Sequence, residues 1–442
     1  MFLPSHVSPF PRTLHTKFFY SIINFSKIYK EIIMKVAGVI VEYNPFHNGH
    51  LYHLEKTRKL SGADAVIALM SGDFVQRGTP AFLSKYLRTS MALEAGADLV
   101  IQLPLPCATG SAEFFAEGGI SLFNALGCVD VLSFGSESGD LAALSSLART
   151  LAEEPDAYRH LLSSYVKEGN SFPKARQLAL RDYLKEGDQT PCLLSSPNNI
   201  LGIEYLKALF RSNSSILPLT IAREGAGYHQ LEEVDGFGSA TSIRMQLSGD
   251  DAPNFSRICR QMPSFAFRML QSQFHLQYPV AFEDFSPALR YRLLQETEES
   301  LCRYRDITPD LARRILNHLD AYDTLEAFCA LLHSKEMTLG RIRRCLLAVL
   351  LGITREETDM VKKEPPYARV LGVKKGSAPV LSLLNKTSSI PVLSRLSQAD
   401  SLTETGKKLL EKEIFASNLY GSVIQQKYGT PYLSEYKRPL LH

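Results

Sequence analysis

Two histidines lie three residues apart in the segment NPFHNGH, directly after an apolar run that ends at Val41. Residues three apart in a helix share one side of it, so His47 and His50 would face the same ligand. Helix N-termini attract phosphate through free amides and partial positive charge, and Gly49 lets a ligand approach the backbone closely. Two imidazoles there can donate hydrogen bonds to phosphate oxygens and stabilise charge during displacement at an α-phosphorus. A packing or capping role is the alternative.

A second candidate anion site is the segment SATSIR. It places three hydroxyl side chains at the start of a predicted helix, namely Ser239, Thr241 and Ser242. Arg244 adds a fixed positive charge, although an ordinary N-cap explains the hydroxyls equally well. A zinc site would need a third ligand besides the two histidines, and His53 is the nearest candidate. We expect no metal bound by the protein itself.

The elements that must position these residues alternate between strand-like and helix-like segments from residue 35 to about residue 225. This alternation predicts an α/β fold with a parallel sheet covered by helices on both faces. Ligands bind beyond the carboxyl ends of the strands in that architecture. The first four predicted strands all end in polar or glycine-rich sequence: NPFHNGH, SGDFVQRG, PLPCATG and FGSESGD. The sequence therefore predicts a ligand site at this edge of the sheet, and a mainly helical region beyond about residue 250.

Charge is distributed unevenly along the 442 residues. Residues 251–442 contain 27 Lys and Arg and 21 Asp and Glu, a net charge of +6; since the whole chain has +3, the remainder has −3. The asymmetry favours a nucleic-acid-facing second half, and two solvated surfaces of differing composition are the alternative. No run of about 18 apolar residues indicates a membrane helix. The seven cysteines form no CxxC pair, which excludes a zinc ribbon and is typical of a reducing cytoplasm.

Six segments, in this order, resemble the bacterial tRNA(Met) cytidine acetate ligase family of the HIGH-type nucleotidyltransferase superfamily. They are VAGVIVEYNPFHNGHLYH, SGDFVQRGTPA, FGSESGD, PNNILGIEYLKA, SATSIR and PPYARVLG. The resemblance extends from residue 34 to about residue 440. It implies a Rossmann-like nucleotidyltransferase domain with a parallel sheet, followed by a mainly helical C-terminal domain.

The resemblance also implies an activity. Members of the family use ATP and acetate to make acetyl-adenylate, and transfer the acetyl group to the wobble cytidine of elongator tRNA(Met), which gives N(4)-acetylcytidine. The expected partners are therefore elongator tRNA(Met) and acetate, with Mg²⁺ accompanying ATP. We expect a cytoplasmic enzyme with no membrane contact, and no protein partner is evident from the sequence.

The expected domain boundaries rest both on the pattern of strand-like and helix-like segments and on the family resemblance. Residues 1–33 contain no acidic residue before Glu31, and we expect a disordered extension or a wrongly assigned start, with Met34 as the true start. Residues 34–250 would form the ATP-binding catalytic domain. Residues 251–442 would form the basic, tRNA-binding region.

The site residues expected from the resemblance form two sets. His47, His50 and Arg244 are the expected catalytic residues. In the segment PNNILG, the asparagine expected to bind ATP is Asn198 rather than Asn199, because Asn198 holds the position before x-I-L-G. The expected ATP-binding residues are Ile40, Val41, Glu42, Tyr43, Asn44, Pro45, Phe46, His47, Asn48, Gly49, His50, Leu51, Tyr52, His53, Gly135, Asn198 and Arg223.

Other residues are candidates for acetate and tRNA. Acetate binding or tRNA positioning is expected of Asp73, Gln76 and Arg77 at the second strand end. The segments RIRR (341–344) and VLGVKKG (370–376) would meet tRNA phosphates. Tyr43 and Phe46 would stack on the extruded base, with core packing as the alternative.

Two other functions remain open from the sequence. One is a small-molecule adenylyl- or cytidylyltransferase, which would have no need of a basic second half. The other is a non-catalytic RNA-binding protein, which intact His47, His50, Gly49 and Arg244 argue against.

Overall fold

A computed structural model describes residues 34–184, 193–223, 239–248 and 253–442. The leader that we expected to be an extension, residues 1–33, lies outside the described residues. Seven strands form the main sheet in the order β7-β6-β1-β2-β5-β8-β9, and β3 and β4 form a separate two-stranded hairpin. The strands β1 to β9 are Val36–Val41, Ala65–Ser71, Phe74–Val75, Thr79–Pro80, Leu99–Leu103, Val131–Ser136, Leu217–Ala222, Ala368–Val373 and Val392–Leu393.

Helices cover the sheet and make up most of the second half. The helices α1 to α9 are Asn48–Ser61, Lys85–Glu94, Leu105–Ala108, Ala112–Leu126, Leu141–Glu153, Asp156–Lys167, Phe172–Leu184, Pro197–Arg211 and Ala240–Ser248. The helices α10 to α19 are Phe255–Gln261, Ser264–Gln273, Ser286–Leu293, Glu298–Leu301, Pro309–Asn317, Leu325–Leu332, Leu339–Leu351, Arg355–Lys363, Ala378–Thr387 and Glu404–Tyr428. Short 3-10 helices lie at Phe282–Phe285, Leu319–Ala321, Leu396–Ser401 and Glu435–Lys437.

The predicted α/β class is confirmed. β1, β2, β5, β6 and β7 run parallel to one another. The apolar runs of β1, β2, β5 and β6 are buried on both faces by two hydrophobic clusters, whereas the edge strand β7 is only partly buried. A third cluster forms the core of the helical second half. The strand that we predicted over 98–106 ends at Leu103 instead. Pro104 follows it and begins a helix, because proline cannot donate to the ladder but suits a helix start.

One helix packs unusually close to the central strand. A Cβ added at Gly119 of α4 would lie 2.5 Å from Cδ1 of Ile40 on β1. A Cβ at Gly38 would meet the ring of Phe123 at 2.6 Å. Because only glycine fits at both contacts, α4 presses directly on β1 and holds the strand that leads into NPFHNGH.

The second half completes the sheet. β8 pairs antiparallel with β5, with Arg369 opposite Gln102 and Val373 opposite Leu99. The sequence predicted the parallel sheet but not this antiparallel strand, which comes from the second half of the chain. The division into 34–250 and 251–442 stays a prediction, and β8 shows that the first range does not contain the whole sheet. Within the described part of the chain, none of the helices is both long and apolar enough to cross a membrane.

Candidate active site

The candidate site lies where the strand order reverses. From β1 the chain proceeds to β2 and β5 on one side, and then returns to place β6 and β7 on the other side. The crevice beyond the carboxyl ends of β1 and β6 is therefore the switch point at which open α/β sheets bind ligands. The turn after β1 contains the two histidines, and β6 ends in the segment FGSE.

The histidine pair is locked by backbone amides at the start of α1. His47 is the N-cap, and its Nδ1 accepts a hydrogen bond from the Gly49 amide at 3.1 Å. Nδ1 of His50 accepts from the His47 amide at 3.3 Å, and the two rings stack with centroids 3.7 Å apart. A neutral imidazole has one donor and one acceptor nitrogen. Because both Nδ1 atoms accept, both protons lie on Nε2, where they can be donated to a ligand.

Both histidines are held in the neutral form. Burial, together with the charges of Arg223 and Arg244, lowers the pKa of His47 to about 3. Burial and the neighbouring His47 lower the pKa of His50 well below its usual value. At neutral pH the imidazoles are therefore hydrogen-bond donors without charge, and the two arginines supply the positive charge of the site.

Acidification should destabilise the protein through these buried histidines. Burial and Arg223 lower the pKa of His53 to about 4, whereas a histidine of the unfolded chain titrates near 6.5. The unfolded chain binds more protons between these values, so the free energy of unfolding falls as the pH drops from about 6.5 toward 4. Urea unfolding across this pH range should show this fall. The slope of the free energy of unfolding against pH should be shallower by about 1.4 kcal/mol per pH unit in His53→Gln than in the wild type. Equal slopes in both proteins would contradict the assignment.

The structure brings the segment SATSIR to the histidine turn. Nη1 of Arg244 donates to the carbonyl oxygen of Asn44 at 2.5 Å, and Nη2 donates to Oγ1 of Thr241 at 3.0 Å. Oγ of Ser239 accepts from the Ser242 amide at 3.1 Å, which is an ordinary N-cap bond. The capping interpretation thus holds for Ser239, while the guanidinium of Arg244 lies beside the candidate phosphate site.

Asn44 joins three distant segments at this turn. Its side-chain Oδ1 accepts from the amide of Phe82 at 2.7 Å, in the loop before α2. Its backbone oxygen accepts from Arg244 on α9. The side chain is buried, so Asn44 positions the turn from within.

The far wall of the crevice is formed by the ends of β6 and β7. A Cβ added at Gly135 would lie 3.5 Å from Cγ of Arg223, which follows β7. Oδ1 of Asn199 accepts the amides of Glu137 and Ser138 at 2.9 and 3.1 Å, while Nδ2 of Asn198 donates to Oε1 of Glu137 at 2.6 Å. Asn199, which sequence reasoning set aside, thus shapes the loop, and Asn198 lies beside it at the start of α8.

His53 points from α1 toward the same wall. Its Nε2 lies 3.3 Å from Oγ of Ser133 on β6, and that hydroxyl also lies 2.7 Å from Oγ1 of Thr57. This contact ties α1 to β6. Across the described ranges, no three His, Cys, Asp or Glu side chains are grouped closely enough to hold a metal ion.

Tyr43 and Phe46 lie beneath the histidines. Both side chains are buried, and the Tyr43 ring contacts the rings of Phe46 and His50 at centroid distances of 4.8 and 4.9 Å. Tyr43 has a φ of 52°, a left-handed conformation that costs on the order of 1 kcal/mol for a bulky residue. The prediction that the two rings stack on an extruded base is wrong, because neither ring is accessible. Ile40 likewise packs its side chain into the core, so only its backbone faces the crevice.

Arg88 of α2 is a functional residue that sequence reasoning missed. Its side chain is fully buried, and its guanidinium donates to the carbonyl oxygens of Glu42, Ser71, Gly72 and Leu83. It therefore ties the carboxyl ends of β1 and β2 together directly below the histidine turn. The available signal was an arginine on the same helix face as Met91 and Ala92, where an exposed side chain is not expected.

Of the three residues predicted to bind acetate or position tRNA at the second strand end, Asp73 has a structural role, and the prediction for Gln76 and Arg77 stays a prediction. Asp73 is buried, and its Oδ1 accepts from the Lys85 amide at 2.7 Å, so it is not available to a ligand. The amide of Gln76 donates to Oε1 of Glu42 at 2.8 Å. The hairpin of β3 and β4 packs tightly on α16, since a Cβ at Gly78 would lie 2.5 Å from the Arg344 amide nitrogen.

The basic segments predicted to meet tRNA differ in placement. In RIRR, Arg343 pairs with Glu326 at 2.8 Å, and Nε of Arg344 is buried. Lys374 and Lys375 of VLGVKKG follow the end of β8 that pairs with Leu99. They lie at the edge of the sheet opposite the histidine turn, because β8 is antiparallel.

The chain matches the family described as HIGH Nucleotidyl Transferase over residues 34–434. A tRNA(Met) cytidine acetate ligase of Acetivibrio thermocellus is 43% identical over 392 residues, which span 88% of this chain and 94% of that protein. A tRNA(Met) cytidine acetate ligase of Clostridium tetani is 36% identical over 413 residues, which span 92% of this chain and 100% of that protein.

Two crystal structures of Thermotoga maritima TmcAL are similar in fold. The apo structure, form I, has a TM-score of 0.85 and 30% identity, and covers 92% of this chain and 99% of that chain. The structure bound with alpha-thio ATP, form II, has a TM-score of 0.81 and 31% identity, and covers 92% of this chain and 97% of that chain.

Proposed function

This chain belongs to the HIGH nucleotidyl transferase family and, within it, to the tRNA(Met) cytidine acetate ligases, and we propose that it acetylates a cytidine of tRNA(Met) with ATP and acetate. The observation that carries the proposal is the meeting of His47, His50 and Arg244 on the turn after β1, at the reversal of strand order. The resemblance narrows the target to the wobble cytidine of elongator tRNA(Met), which becomes N(4)-acetylcytidine.

ATP occupies the crevice between β1 and β6 in this proposal. Its triphosphate lies at the N-terminus of α1, where the positive end of the helix dipole attracts it and the two Nε2–H groups donate to phosphate oxygens. Arg223 and Arg244 neutralise the phosphate charge from either side. The base and ribose pass Gly135, where the missing side chain leaves room, and Asn198 lies beside them on α8. The ATP-binding set from Ile40 to His53 contributes chiefly through its backbone and the Nε2–H groups of His47 and His50.

The reaction proceeds in two displacements. A carboxylate oxygen of acetate attacks the α-phosphorus, the bond to the β-phosphate oxygen breaks, and pyrophosphate leaves. The exocyclic amine of cytidine then attacks the acetyl carbon, and AMP leaves with the bonding electrons while the amine loses a proton. The histidines and arginines stabilise the charge that develops on the phosphate oxygens in the first step.

A protein nucleophile is not needed for this chemistry. Adenylation converts the poor leaving group of acetate into AMP, so the weak amine can attack directly. The buried thiols fit no covalent role: burial raises the pKa of Cys107 to about 12 and that of Cys128 to about 11.

Mg²⁺ enters as part of the substrate. It neutralises phosphate charge and is held mainly by phosphate oxygens and water. The described residues contain no cluster of three potential metal ligands. The carboxylates closest to the crevice, Glu42 and Glu137, accept hydrogen bonds from Gln76 and Asn198.

Incubation with ATP, labelled acetate and bulk tRNA tests the proposal. Analysis of the nucleosides should reveal labelled N(4)-acetylcytidine, and ATP–pyrophosphate exchange should depend on acetate. Exchange that depends on another acid or on a phosphorylated small molecule would instead support the small-molecule transferase. RNA binding without ATP–pyrophosphate exchange would instead support the alternative of a non-catalytic RNA-binding protein.

A further inference from the structure

A small, open pocket lies beside the sheet, three strands away from the histidine turn. Its lining includes Tyr86, Arg369, Ser394, Arg395, Glu435 and Arg438. These residues come from α2, from β8, from the segment after β9 and from the C-terminal tail. None of them belongs to the ATP-binding or catalytic sets.

The pocket is built around a buried guanidinium. Arg369 is 5% exposed, and its Nη2 pairs with Glu435. Its Nη1 is buried and has no hydrogen-bond partner among the described residues. A buried donor without a partner is costly and marks a place where an acceptor is missing.

Glu435 does not neutralise the pocket. Its Oε2 accepts from Lys85 Nζ at 2.9 Å and from the Tyr86 hydroxyl at 2.9 Å, besides Arg369. One carboxylate is thus shared by two buried cations. Asp73 lies 3.9 Å from Lys85 and supplies a second negative charge, and the buried carboxyl of Glu413 also lies near Arg369 and Lys85.

Two further arginines carry exposed charge at the mouth. The guanidinium of Arg438 lies 4.5 Å from the centroid of the Tyr86 ring, which orients it by a cation–π contact. Arg395 is exposed and also lines the pocket. In the described part of the chain, neither side chain has a carboxylate partner within ion-pair distance, so the group retains net positive charge.

The position of the pocket relates it to the active site. Arg369 is paired with Gln102, one residue before the end of β5, and so lies near the carboxyl edge of the parallel strands. In the sheet, β8 is separated from β1 by β2 and β5, so the two strands lie three strand spacings apart, about 14 Å. The pocket is on the β2 side of the histidine turn, whereas the proposed nucleotide wall at β6 is on the other side.

We propose that this pocket binds a backbone phosphate of the RNA substrate, next to the nucleotide whose base enters the active site. The inference rests on the proposed function. An open pocket lined by three arginines suits a phosphate carried by a large molecule, because guanidinium groups bind phosphate oxygens bidentately. The alternative is that the pocket binds a free anion, namely inorganic phosphate or ATP, through the same arginines.

The test uses the full chain with Arg395→Gln and Arg438→Gln combined. Arg369 stays intact because it neutralises Glu435. Lys35→Gln and Lys59→Gln combined form the control: both lysines are exposed, one directly before β1 and the other in the last turn of α1, so the same charge is lost at the opposite end of the strands. The arginine variant should bind tRNA on the order of tenfold more weakly, and the slope of log K against log salt should fall by about one, because one phosphate contact is lost. Acetate-dependent ATP–pyrophosphate exchange should stay unchanged, and the control should match the wild type.

Three results would overturn the proposal. These are an unchanged salt slope in the arginine variant, an equal loss in the lysine control, or no tRNA binding by the wild type. Titration with inorganic phosphate or ATP identifies a free-anion site if it saturates the pocket arginines without displacing tRNA. Absence of acetate-dependent exchange in the wild type contradicts the proposed function instead, so the two failures are distinguishable.

Discussion

Replacing His50 by alanine should lower the rate of acetate-dependent ATP–pyrophosphate exchange by about 10² to 10³-fold, while tRNA binding persists. The physical reason is the loss of one preorganised Nε2–H donor to the α-phosphate. The His47 amide also loses its acceptor at His50 Nδ1. Exchange measured at saturating acetate, together with tRNA binding by filter retention, separates the chemical step from RNA affinity.

Two conservative variants sharpen this prediction. A glutamine at position 50 places an amide donor near Nε2, and an asparagine places its polar group near Nδ1. Since the backbone amide of His47 assigns the acceptor role to Nδ1, His50→Gln should retain more activity than His50→Asn. Full activity in the alanine variant would remove His50 from the mechanism, and a better asparagine variant would reverse the assigned tautomer.

Replacing Arg244 by alanine should raise KM for ATP and lower kcat, with a combined loss of about 10²-fold or more in kcat/KM. The guanidinium contacts the Asn44 carbonyl and Thr241 at once, which holds its charge beside the histidines. A lysine has the charge without the planar fork. Arg244→Lys should therefore recover part of the ATP affinity but little of kcat.

Arg149 provides the matched control for this prediction. It is an exposed arginine on α5 that pairs with Glu153 at 3.3 Å. Arg149→Ala should leave both kinetic constants within twofold of the wild type, because exposed ion pairs contribute little. Equal effects at the two positions would indicate a general charge effect, and an unaffected Arg244→Ala enzyme would exclude Arg244 from the phosphate site.

Much of the local structure was predictable. The apolar runs gave the strands from Val36 to Ala222 to within a few residues, and Pro197 and Ser239 marked the starts of two helices. Polar strand ends located the ligand edge of the sheet. These signals are local, because a strand or helix start depends on a few neighbouring residues and their backbone preferences.

The antiparallel strand and the pocket were not predictable in this way. The segment PPYARVLG shows an apolar run but no indication of its partner. Only the pairing of this segment with β5 places Arg369 near the carboxyl ends of the parallel strands. The same pairing places the lysines of VLGVKKG near the amino ends of those strands. Strand order and direction depend on contacts between residues more than 250 positions apart, which periodicity does not encode.

The sequence by itself determined the α/β class, the histidine turn with its glycine, and the chemistry that such residue types support. Tertiary structure decided the rest: the tautomers and low pKa values of His47 and His50, the contact between Arg244 and Asn44, and the buried clamp of Arg88. The physical reason is that protonation and charge respond to burial and to groups brought from distant segments. Local sequence specifies the turn, whereas the packed neighbours set the state of its side chains.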